Sequence, residues 1–405
     1  MSKVSLPVIF VVFQTGRRAN GGVESITQVL ERVQHIKPVV VTQVETLMNH
    51  RWRDAGAEVH VWPLPLHMDS SIRRSGFSMK LHRSWSIACT NYWMWKLVRV
   101  TGCRVVHCND ILSLWHTAFG ARSAGALVVQ SIRGVKEAHE PYGWHWKFAR
   151  WLSHRQLVNS QEMRTALIER IAGPQPPEQG KRTAIAYIYS MIDLSYMRPV
   201  GLAERERLRH GLGIGPEQFT IGFVATFSAL KAQCAFIEAA GPLLRAAVPA
   251  CQVYFLGDFT PEDNDYAHAC VDAVQRLGLE SIIRFVGFTA NVVDWYRVLD
   301  VIVVASRREG LARCMIESLA CGTPVVSFDV CSAREILVQH DCGRVVPQGD
   351  YAGLVRELET LASNPSLRNA LGTNGSQTAR ELFHPARIVG QYEHLYRDLT
   401  RKTHH

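Results

Sequence analysis

Short runs of apolar, mostly β-branched residues recur along the chain and alternate with longer segments whose apolar residues have helical spacing. Such runs, hydrophobic without alternation, are typical of strands buried on both faces of a parallel sheet. In the first half we predict strands at 8–13, 38–42, 58–63, 104–108, 127–132, a run ending at 158, and 184–189. In the second half we predict them at 220–226, 252–256, 282–286, 301–305, 325–328 and 343–347. Strands that alternate with helices indicate an α/β fold.

The length of 405 residues is enough for two domains of ordinary size. A linker is predicted at about 194–201, where Pro199 interrupts the pattern and a charged helix follows. We therefore expect a first domain over 1–195 and a second over 196–384. Both are predicted to be Rossmann-like.

The segment 301–328 reads as one strand, helix, strand unit of the parallel type. An apolar run at Val301–Ala305 precedes a polar turn, a helical pattern over Leu311–Cys321, and a second apolar run at Val325–Phe328. In such a sheet a ligand lies beyond the carboxyl end of the strand, where the next helix directs its free N–H groups and positive dipole end. An anionic group is the expected ligand.

Two carboxylates belong to this unit. Glu309 lies in the turn beside Gly310, which would let a ligand approach the backbone, and Glu317 lies about two turns into the helix. Carboxylates accept hydrogen bonds from sugar and ribose hydroxyls, so the pair suggests a nucleotide sugar. The competing interpretation is two solvated glutamates on an amphipathic helix.

The stretch 309–325 resembles a known family. Glu309, seven residues and Glu317, followed by SLACGTPV, are similar to the donor-site signature of family four of the retaining glycosyltransferases. The EGL start with Arg313 is most similar to the branch that builds lipid-linked glycans and surface polysaccharides, which usually has Pro in place of Ala312. The resemblance implies the GT-B architecture, two Rossmann-like parallel-sheet domains facing across a deep cleft. It also implies that the last helix, about 385–405, packs on the first domain.

In the family, the loop after the first strand of the donor domain carries an arginine and a lysine that hold the donor diphosphate. Lys231 matches the lysine, whereas the arginine position is Thr226. Arg307, Arg308 or Arg313 is expected to replace the missing cation, and Arg313 is favoured because it follows the Glu309 turn.

The resemblance implies a metal-free transfer of a hexose or N-acetylhexosamine from a UDP- or GDP-linked donor, with no cofactor. The catalytic residues it implies are Glu309, Lys231 and Arg313, and the donor-binding residues are Gly310, Leu311, Ala312, Glu317, Thr226, Gly287 and Phe288. The triplet Asp263–Asp265 has the form of a metal motif but lies in a Pro- and Asp-rich loop, so no metal role is expected.

The sequence identifies acceptor-binding residues less clearly than donor-binding residues. Gly21 and Gly22, predicted to end the loop after the first strand, are similar to the family's N-terminal loop, and a plain glycine-rich turn is the alternative. Where the family often has a histidine, this chain has Arg133, and two interpretations stand: a contact with an anionic acceptor or the donor phosphate, and a plain loop arginine. The nearby His139 and His145 are read as surface residues.

The formal net charge of +9 has its densest source in 70–106, which contains no acidic residue. Basic and aromatic side chains alternate there, as at a surface that contacts an anionic membrane, so the segment 72–104 is the predicted membrane contact. Two alternatives remain, a core helix with a solvated basic face and a nucleic-acid surface. The basic and aromatic residues concerned are Arg73, Arg74, Phe77, Lys80, Arg83, Trp85, Tyr92, Trp93, Trp95, Lys96, Arg99 and Arg104.

The composition, 47% hydrophobic and 20% charged residues, is that of a globular protein, without a membrane-spanning run or a secretory signal. We expect a cytoplasmic protein, peripheral on the inner membrane face, with free thiols at its 10 cysteines. Three other functions fit the same features. They are a nucleotide-sugar epimerase, a glycoside phosphorylase, and a membrane-docking subunit that has lost transfer activity.

Overall fold

The computed structural model describes residues 5–14, 21–63, 77–134, 143–172, 185–248, 250–259 and 264–401. The chain forms two compact units, one from the described residues of 1–191 and 385–405 and one from 192–384. Each unit is built on its own parallel sheet.

The sheet of the first unit has the strand order β3-β2-β1-β4-β5-β6-β7, and all of its pairings are parallel. Its strands are β1 (Leu6–Val11), β2 (Ile36–Thr42), β3 (Glu58–Val61), β4 (Val105–Cys108), β5 (Leu127–Ile132), β6 (Arg155–Val158) and β7 (Ile185–Tyr187). Its helices include α1 (Gly21–Leu30), α2 (Leu47–Asp54), α3 (Phe77–Thr101), α4 (Ile111–Ser123), α5 (Trp144–Leu152) and α6 (Gln161–Ala172).

The second sheet has the order β10-β9-β8-β11-β12-β13 and is also parallel throughout. Its strands are β8 (Phe219–Val224), β9 (Cys251–Leu256), β10 (Ile283–Gly287), β11 (Val301–Val304), β12 (Val325–Phe328) and β13 (Gly343–Val346). Its α-helices are α7 (Leu202–Gly211), α8 (Gln233–Ala247), α9 (Asp265–Arg276), α10 (Val292–Val298), α11 (Arg313–Ala320), α12 (Tyr351–Ser363) and α13 (Pro365–Leu382).

The last helix, α14 (Pro385–Arg401), belongs to the first unit. The fully buried Tyr396 places its hydroxyl 2.5 Å from Nδ1 of His107 on β4. Glu393 accepts hydrogen bonds from the backbone N–H groups of Gln34 and His35, at 2.8 and 2.9 Å. These contacts fix the helix to the amino end of β2 and to the middle of the sheet.

Each predicted strand is present, with ends that differ by at most two residues. The central strands β1 and β11 are completely buried from Val8 to Val11 and from Val301 to Val304, which is why their sequences are uninterrupted apolar runs. Ser160 caps α6 as its sequence suggests, because its Oγ accepts from the N–H of Met163 at 3.1 Å.

The position predicted for Gly21 and Gly22 was wrong. Gly21 and Gly22 are the first residues of α1, whereas the sequence predicted them in a loop before a helix over 23–33. The first N–H groups of a helix have no partner within it, so glycine is tolerated there. Ser25 donates to the carbonyl of Gly21 at 2.7 Å and completes the first turn.

The short helix predicted at 332–337 is a π-helical turn, Arg334–Val338. No helix of the described ranges is long and apolar enough to cross a bilayer. The cysteines form no disulfide within the part of the chain that the structure covers.

Candidate active site in the second unit

In the second sheet, the order in which the chain adds strands reverses between β8 and β11. From β8 the chain continues through β9 to β10 on one side, and then returns to add β11, β12 and β13 on the other. At such a switch point the loops after the two central strands diverge and leave a crevice beyond their carboxyl ends, where ligands of parallel α/β sheets bind. The loops concerned are 225–232 after β8 and 305–312 after β11.

Lys231 and Glu309 meet across this crevice. Lys231 Nζ lies 2.5 Å from Oε1 of Glu309, and their side chains are 25% and 11% exposed. A backbone hydrogen bond of 2.9 Å, from Arg307 N–H to the carbonyl of Leu230, holds the same two loops together. The structure therefore brings together two of the predicted catalytic residues, and both remain accessible to a ligand.

The N-cap residue of neither helix that leaves these loops makes a side-chain cap hydrogen bond, although the N–H of Cys234 at the start of α8 donates to the hydroxyl of Tyr266 at 3.0 Å. Helix α11 has Ala312 at its N-cap and α8 has Ala232, so neither position offers an oxygen to the first N–H groups. Ala232 also adopts the left-handed conformation, with φ of 61°, which costs about 1–2 kcal/mol in a residue with a side chain. Two helix N-termini thus direct partial positive charge at one crevice.

The loop after β8 is held in shape by residues behind it. The buried side chain of Gln233 donates to the carbonyl of Thr226 at 2.9 Å and accepts from Ser228 N–H at 3.4 Å. Gly257, after β9, passes so close that a Cβ there would lie 2.0 Å from the carbonyl oxygen of Ala225. Lys231 is therefore presented by a loop with little freedom to move.

Glu317 is held at both of its oxygens. Arg313 donates to Oε1 through Nε at 2.9 Å and Nη2 at 2.8 Å, and the hydroxyl of Tyr296 donates to Oε2 at 3.0 Å. Complete burial and the adjacent Glu317 raise the pKa of Tyr296 well above its usual value, so this hydroxyl keeps its proton. Sequence reasoning missed Tyr296, because a tyrosine in an apolar helical pattern carries no functional signal.

Arg313 therefore contacts the Glu317 carboxylate, whereas the sequence favoured it as the second cation at the diphosphate. Burial, followed by the charge of Glu309, raises the pKa of the Cys314 thiol to about 12, so this cysteine is a neutral thiol at the helix start. It is unsuited to act as a nucleophile.

The predicted donor-binding residues occupy one edge of the sheet. Gly310, Leu311 and Ala312 are buried between β11 and α11, and Thr226 lies in the loop after β8. Gly287 ends β10 with φ of 79°, and its carbonyl accepts from Gly257 N–H at 3.0 Å. Phe288 follows with 58% of its surface exposed, about 10 Å from β8 at normal strand spacing.

The predicted acceptor residues lie in the first unit. Arg133 follows β5, where its guanidinium donates to the side-chain oxygen and, at 3.4 Å, to the carbonyl of Asn109, which follows β4. Behind it, burial and the charge of Arg133 lower the pKa of His107 to about 3, and His107 Nε2 lies 2.7 Å from the hydroxyl of Ser131. Gly21 and Gly22 start α1, which follows β1 in the chain.

No group of three metal-ligating side chains occurs within the described ranges. In the Asp-x-Asp triplet, Asp263 lies outside those ranges. Asn264 caps α9 by accepting from the N–H groups of Tyr266 and Ala267, at 3.0 and 3.3 Å. His139 also lies outside the described residues, as does the side chain of His145.

Residues 218–364 match the family described as glycosyl transferases group 1. The putative glycosyltransferase EpsD of Bacillus subtilis (strain 168) is 28% identical over 305 residues, which are 72% of this chain and 76% of EpsD. The lipopolysaccharide core biosynthesis glycosyltransferase LpsE of Rhizobium meliloti (strain 1021) is 30% identical over 150 residues, 37% of this chain and 43% of LpsE. The matched family segment contains the whole crevice between β8 and β11.

Solved structures show the same fold. Anabaena Alr3699/HepE in complex with UDP is 18% identical, with a TM-score of 0.76 over 97% of this chain and 100% of that one. Its complex with UDP-glucose is 17% identical, with a TM-score of 0.73 over 97% and 100%. The predicted α/β fold class, with two Rossmann-like parallel-sheet domains of the GT-B type, is confirmed.

Proposed function

We propose that this chain, which is a glycosyltransferase, moves a hexose or an N-acetylhexosamine from a UDP- or GDP-linked donor to a lipid-linked or polysaccharide acceptor, with retention of configuration. The observation that carries the proposal is the Lys231–Glu309 contact at the switch point, beside the start of α11, whose N-cap residue makes no side-chain hydrogen bond. Alr3699/HepE binds UDP and UDP-glucose, and EpsD and LpsE are glycosyltransferases.

The donor diphosphate would occupy the positive end of the crevice. Lys231 supplies a full charge there, and the N–H groups at the start of α11 supply oriented donors, so charge that develops on the leaving phosphate is stabilised without a metal. Glu309 is already a partner of Lys231, so donor binding would leave one carboxylate oxygen for a sugar hydroxyl. Lys231 and Glu309 are thus assigned to leaving-group stabilisation and sugar orientation.

Glu317 would bind the ribose hydroxyls. Its two oxygens are fixed by Arg313 and Tyr296, which leaves the remaining lone pairs of each oxygen in defined directions. In this proposal Arg313 positions Glu317 instead of neutralising the diphosphate. Arg307 and Arg308, on the same loop, are then the remaining candidates for the cation missing at Thr226.

The transfer step breaks the bond between the anomeric carbon and the diphosphate and forms one to an acceptor oxygen on the same face of the sugar. The acceptor hydroxyl gives its proton to the departing phosphate, so no side chain needs to act as nucleophile or base. Arg133, beside Asn109 at the carboxyl edge of the first sheet, is proposed to bind an anionic acceptor group.

The test is a screen of the purified protein against UDP-, GDP- and ADP-sugars. Thermal shift reports donor binding, and release of nucleoside diphosphate in the presence of a lipid-linked acceptor reports transfer. We expect one donor class to stabilise the protein and to release diphosphate only with acceptor present.

The same screen separates the other functions. An epimerase would change the sugar without releasing diphosphate, and a phosphorylase would require free phosphate. Donor protection without product on any acceptor would indicate a docking subunit instead of an enzyme.

We also propose that the partner of the first unit is an anionic membrane on the cytoplasmic face, contacted through 72–104 and its neighbours. The described part of α3 presents Trp85 and Tyr92, with 72% and 61% of their surfaces exposed. Helices α3, α4 and α5 contain no acidic residue. Exposed aromatics among unopposed basic groups suit the headgroup region, where each nearby Lys or Arg is worth about 1 kcal/mol.

We propose that aromatic residues outside the predicted segment belong to the same surface. On α4 and α5 the rings of Trp115, Phe148 and Trp151 stack in series, with centroids 5.5 and 5.3 Å apart. The guanidinium of Arg122 lies 5.3 Å above the ring of Trp151. The alternative of a core helix describes the other face of α3, on which Leu97 and other apolar side chains are buried.

A further inference from the structure

A second groove lies at the amino ends of strands in the second sheet, opposite the end that carries Lys231 and Glu309. It has a volume of 720 Å³ and is lined by the segment before α7, the end of α10, the turn between α11 and β12, and α13. Asp300 and Pro324, which line it, directly precede β11 and β12. Because β11 and β12 have four residues each and a strand rises about 3.3 Å per residue, the groove lies roughly 13 Å from the carboxyl ends of these strands, beyond which Lys231 and Glu309 lie.

The charge of the groove is unbalanced. Arg205, Arg297, Arg368 and Arg380 line it, whereas Asp300 is its one carboxylate among the lining residues. Arg297 is also paired with Asp294, at 3.0 Å, outside the lining residues, so Asp300 is left to balance Arg205, Arg368 and Arg380. Enclosed clefts lined by one sign of charge concentrate counter-ions of the other sign.

The carboxylate of Asp300 already has ion-pair and hydrogen-bond partners at both oxygens. Its Oδ1 lies 2.9 Å from Arg205 Nη2 and 4.0 Å from Arg368 Nε, and its Oδ2 lies 3.4 Å from Arg209 Nη1. Oδ2 also accepts from the N–H and hydroxyl of Thr220, at 2.8 and 2.7 Å. Burial lowers the pKa of Arg368, and the charge of Arg205 lowers it further against the opposing effect of Asp300. The carboxylate cannot compensate every arginine around it.

A further polar residue, Ser376, lines the same groove. Ser376 is 5% exposed, and its hydroxyl has no hydrogen-bond partner among the residues that the structure describes. Arg380 lies one turn further along α13 and is exposed. A buried hydroxyl without a partner is costly, which indicates that a ligand or water completes its hydrogen bonding.

We propose that this groove binds a small phosphorylated anion, at a site separate from the donor site. Arginine forks pair with phosphate oxygens at two points, and the volume lies in the range of small-molecule sites. The apolar side chains of Pro199, Leu202 and Leu299 line the remainder and suit an uncharged body attached to the phosphate. Because Arg297 also donates to the carbonyls of Tyr196 and Arg198, at 2.8 and 3.4 Å, the ligand would lie beside the segment that starts the second unit.

Inorganic pyrophosphate is the probe, and thermal unfolding of the full chain at constant ionic strength is the measurement. Since a diphosphate also fits the proposed donor site, the titration is made in Lys231→Ala protein, with and without Arg380→Ala. Arg356→Ala is the matched control, because Arg356 is an exposed arginine on α12 whose side chain is 69% exposed. We expect saturating pyrophosphate to raise Tm by about 2–4 °C. Arg380→Ala should weaken the apparent affinity about tenfold and Arg356→Ala should leave it unchanged.

Three outcomes would overturn the inference. They are no shift in wild-type protein, a shift that disappears with Lys231→Ala alone, and equal affinities of the Arg380→Ala and Arg356→Ala proteins. No donor or acceptor is used, so the result is independent of the proposed transfer reaction.

Discussion

Lys231 and Glu309 are separated by 78 residues in the chain, yet their side chains meet at 2.5 Å beyond the carboxyl ends of β8 and β11. Each residue follows a different central strand, and the contact exists because those strands are neighbours in the sheet although they are not consecutive. The charge pair is partly exposed, and we expect it to exchange partners when an anion binds.

Removal of Lys231 should mainly slow the chemical step. Loss of one preorganised donor at a developing negative charge typically lowers kcat by about 10²–10³-fold. We expect this for Lys231→Ala, with a smaller rise in the donor KM, measured as release of nucleoside diphosphate. Lys37→Ala, an exposed lysine of β2, serves as the control. Equal kinetics of the two variants would refute the site.

Tyr296→Phe tests whether Glu317 must be held in place. The substitution removes only the hydrogen bond to Oε2 and leaves the buried ring. We expect the donor KM to rise about three- to tenfold with kcat nearly unchanged, because the carboxylate would bind ribose less precisely. Tyr396→Phe is the matched control, since it also removes one hydroxyl contact from a fully buried tyrosine, to His107 in the first unit. A donor KM that stays constant in Tyr296→Phe would argue against ribose binding by Glu317.

His107 should make the protein less stable in acid. Burial, followed by the charge of Arg133, lowers its pKa to about 3 in the folded protein from the ordinary value of about 6.5, so below pH 6.5 the unfolded state takes up a proton that the folded state does not. Stability from this group is therefore complete above pH 6.5 and declines as the pH falls towards 3, by about 1.4 kcal/mol per pH unit.

We expect His107→Gln to lower stability at pH 7.5 but to flatten the change between pH 7.5 and 5.5 by about 1.4 kcal/mol. Urea unfolding at the two pH values measures it. The same pH dependence in both proteins would show that His107 is not the titrating group.

Gly120 is required for the contact between α3 and α4. A Cβ at this position would lie 1.8 Å from the backbone oxygen of Asn91, whose side chain also accepts from Gly120 N–H at 2.8 Å. We expect Gly120→Ala to destabilise the protein by about 1–3 kcal/mol or more in urea unfolding. In contrast, Gly390→Ala on α14 meets nothing within 4 Å and should stabilise by about 0.5–1 kcal/mol. Similar effects of the two substitutions would contradict the close helix contact.

Membrane contact can be tested by co-sedimentation with vesicles. We expect binding to phosphatidylcholine vesicles to increase when phosphatidylglycerol is added and to decrease with salt. Trp85→Ala with Tyr92→Ala should weaken it about tenfold or more, since each ring loses interfacial burial. Leu202→Ala, at an equally exposed apolar residue of the second unit, should have no effect. Binding that ignores lipid charge, or that is lost equally in the control, would contradict the proposal.

Much of the fold could be predicted because parallel strands buried on both faces require apolar runs. The apolar runs of β1, β11 and β12 would expose apolar side chains to water if the strands lay at the surface. Their alternation with helical patterns is typical of a parallel sheet. Helix starts were less predictable. Helix α11 begins at Arg313 and α1 at Gly21, because the first turn depends on local caps and neighbouring loops.

Partners of the site residues could not be predicted. Arg313 is near Glu309 in sequence, but as the residue four positions before Glu317 it lies on the same helix face and pairs with that carboxylate. Nothing in the local pattern distinguishes Tyr296 from a core tyrosine, or reveals that the rings of Trp115, Phe148 and Trp151 stack in series.

The amino-acid sequence alone determined the strand and helix content, the chemical groups available at the donor site, and the excess of positive charge. Only the tertiary structure decided that Lys231 faces Glu309, that Tyr296 holds Glu317, and that arginines far apart in the chain share one groove. The physical reason is that hydrophobic periodicity acts over a few residues, whereas side-chain partners are chosen by the order in which strands join the sheet.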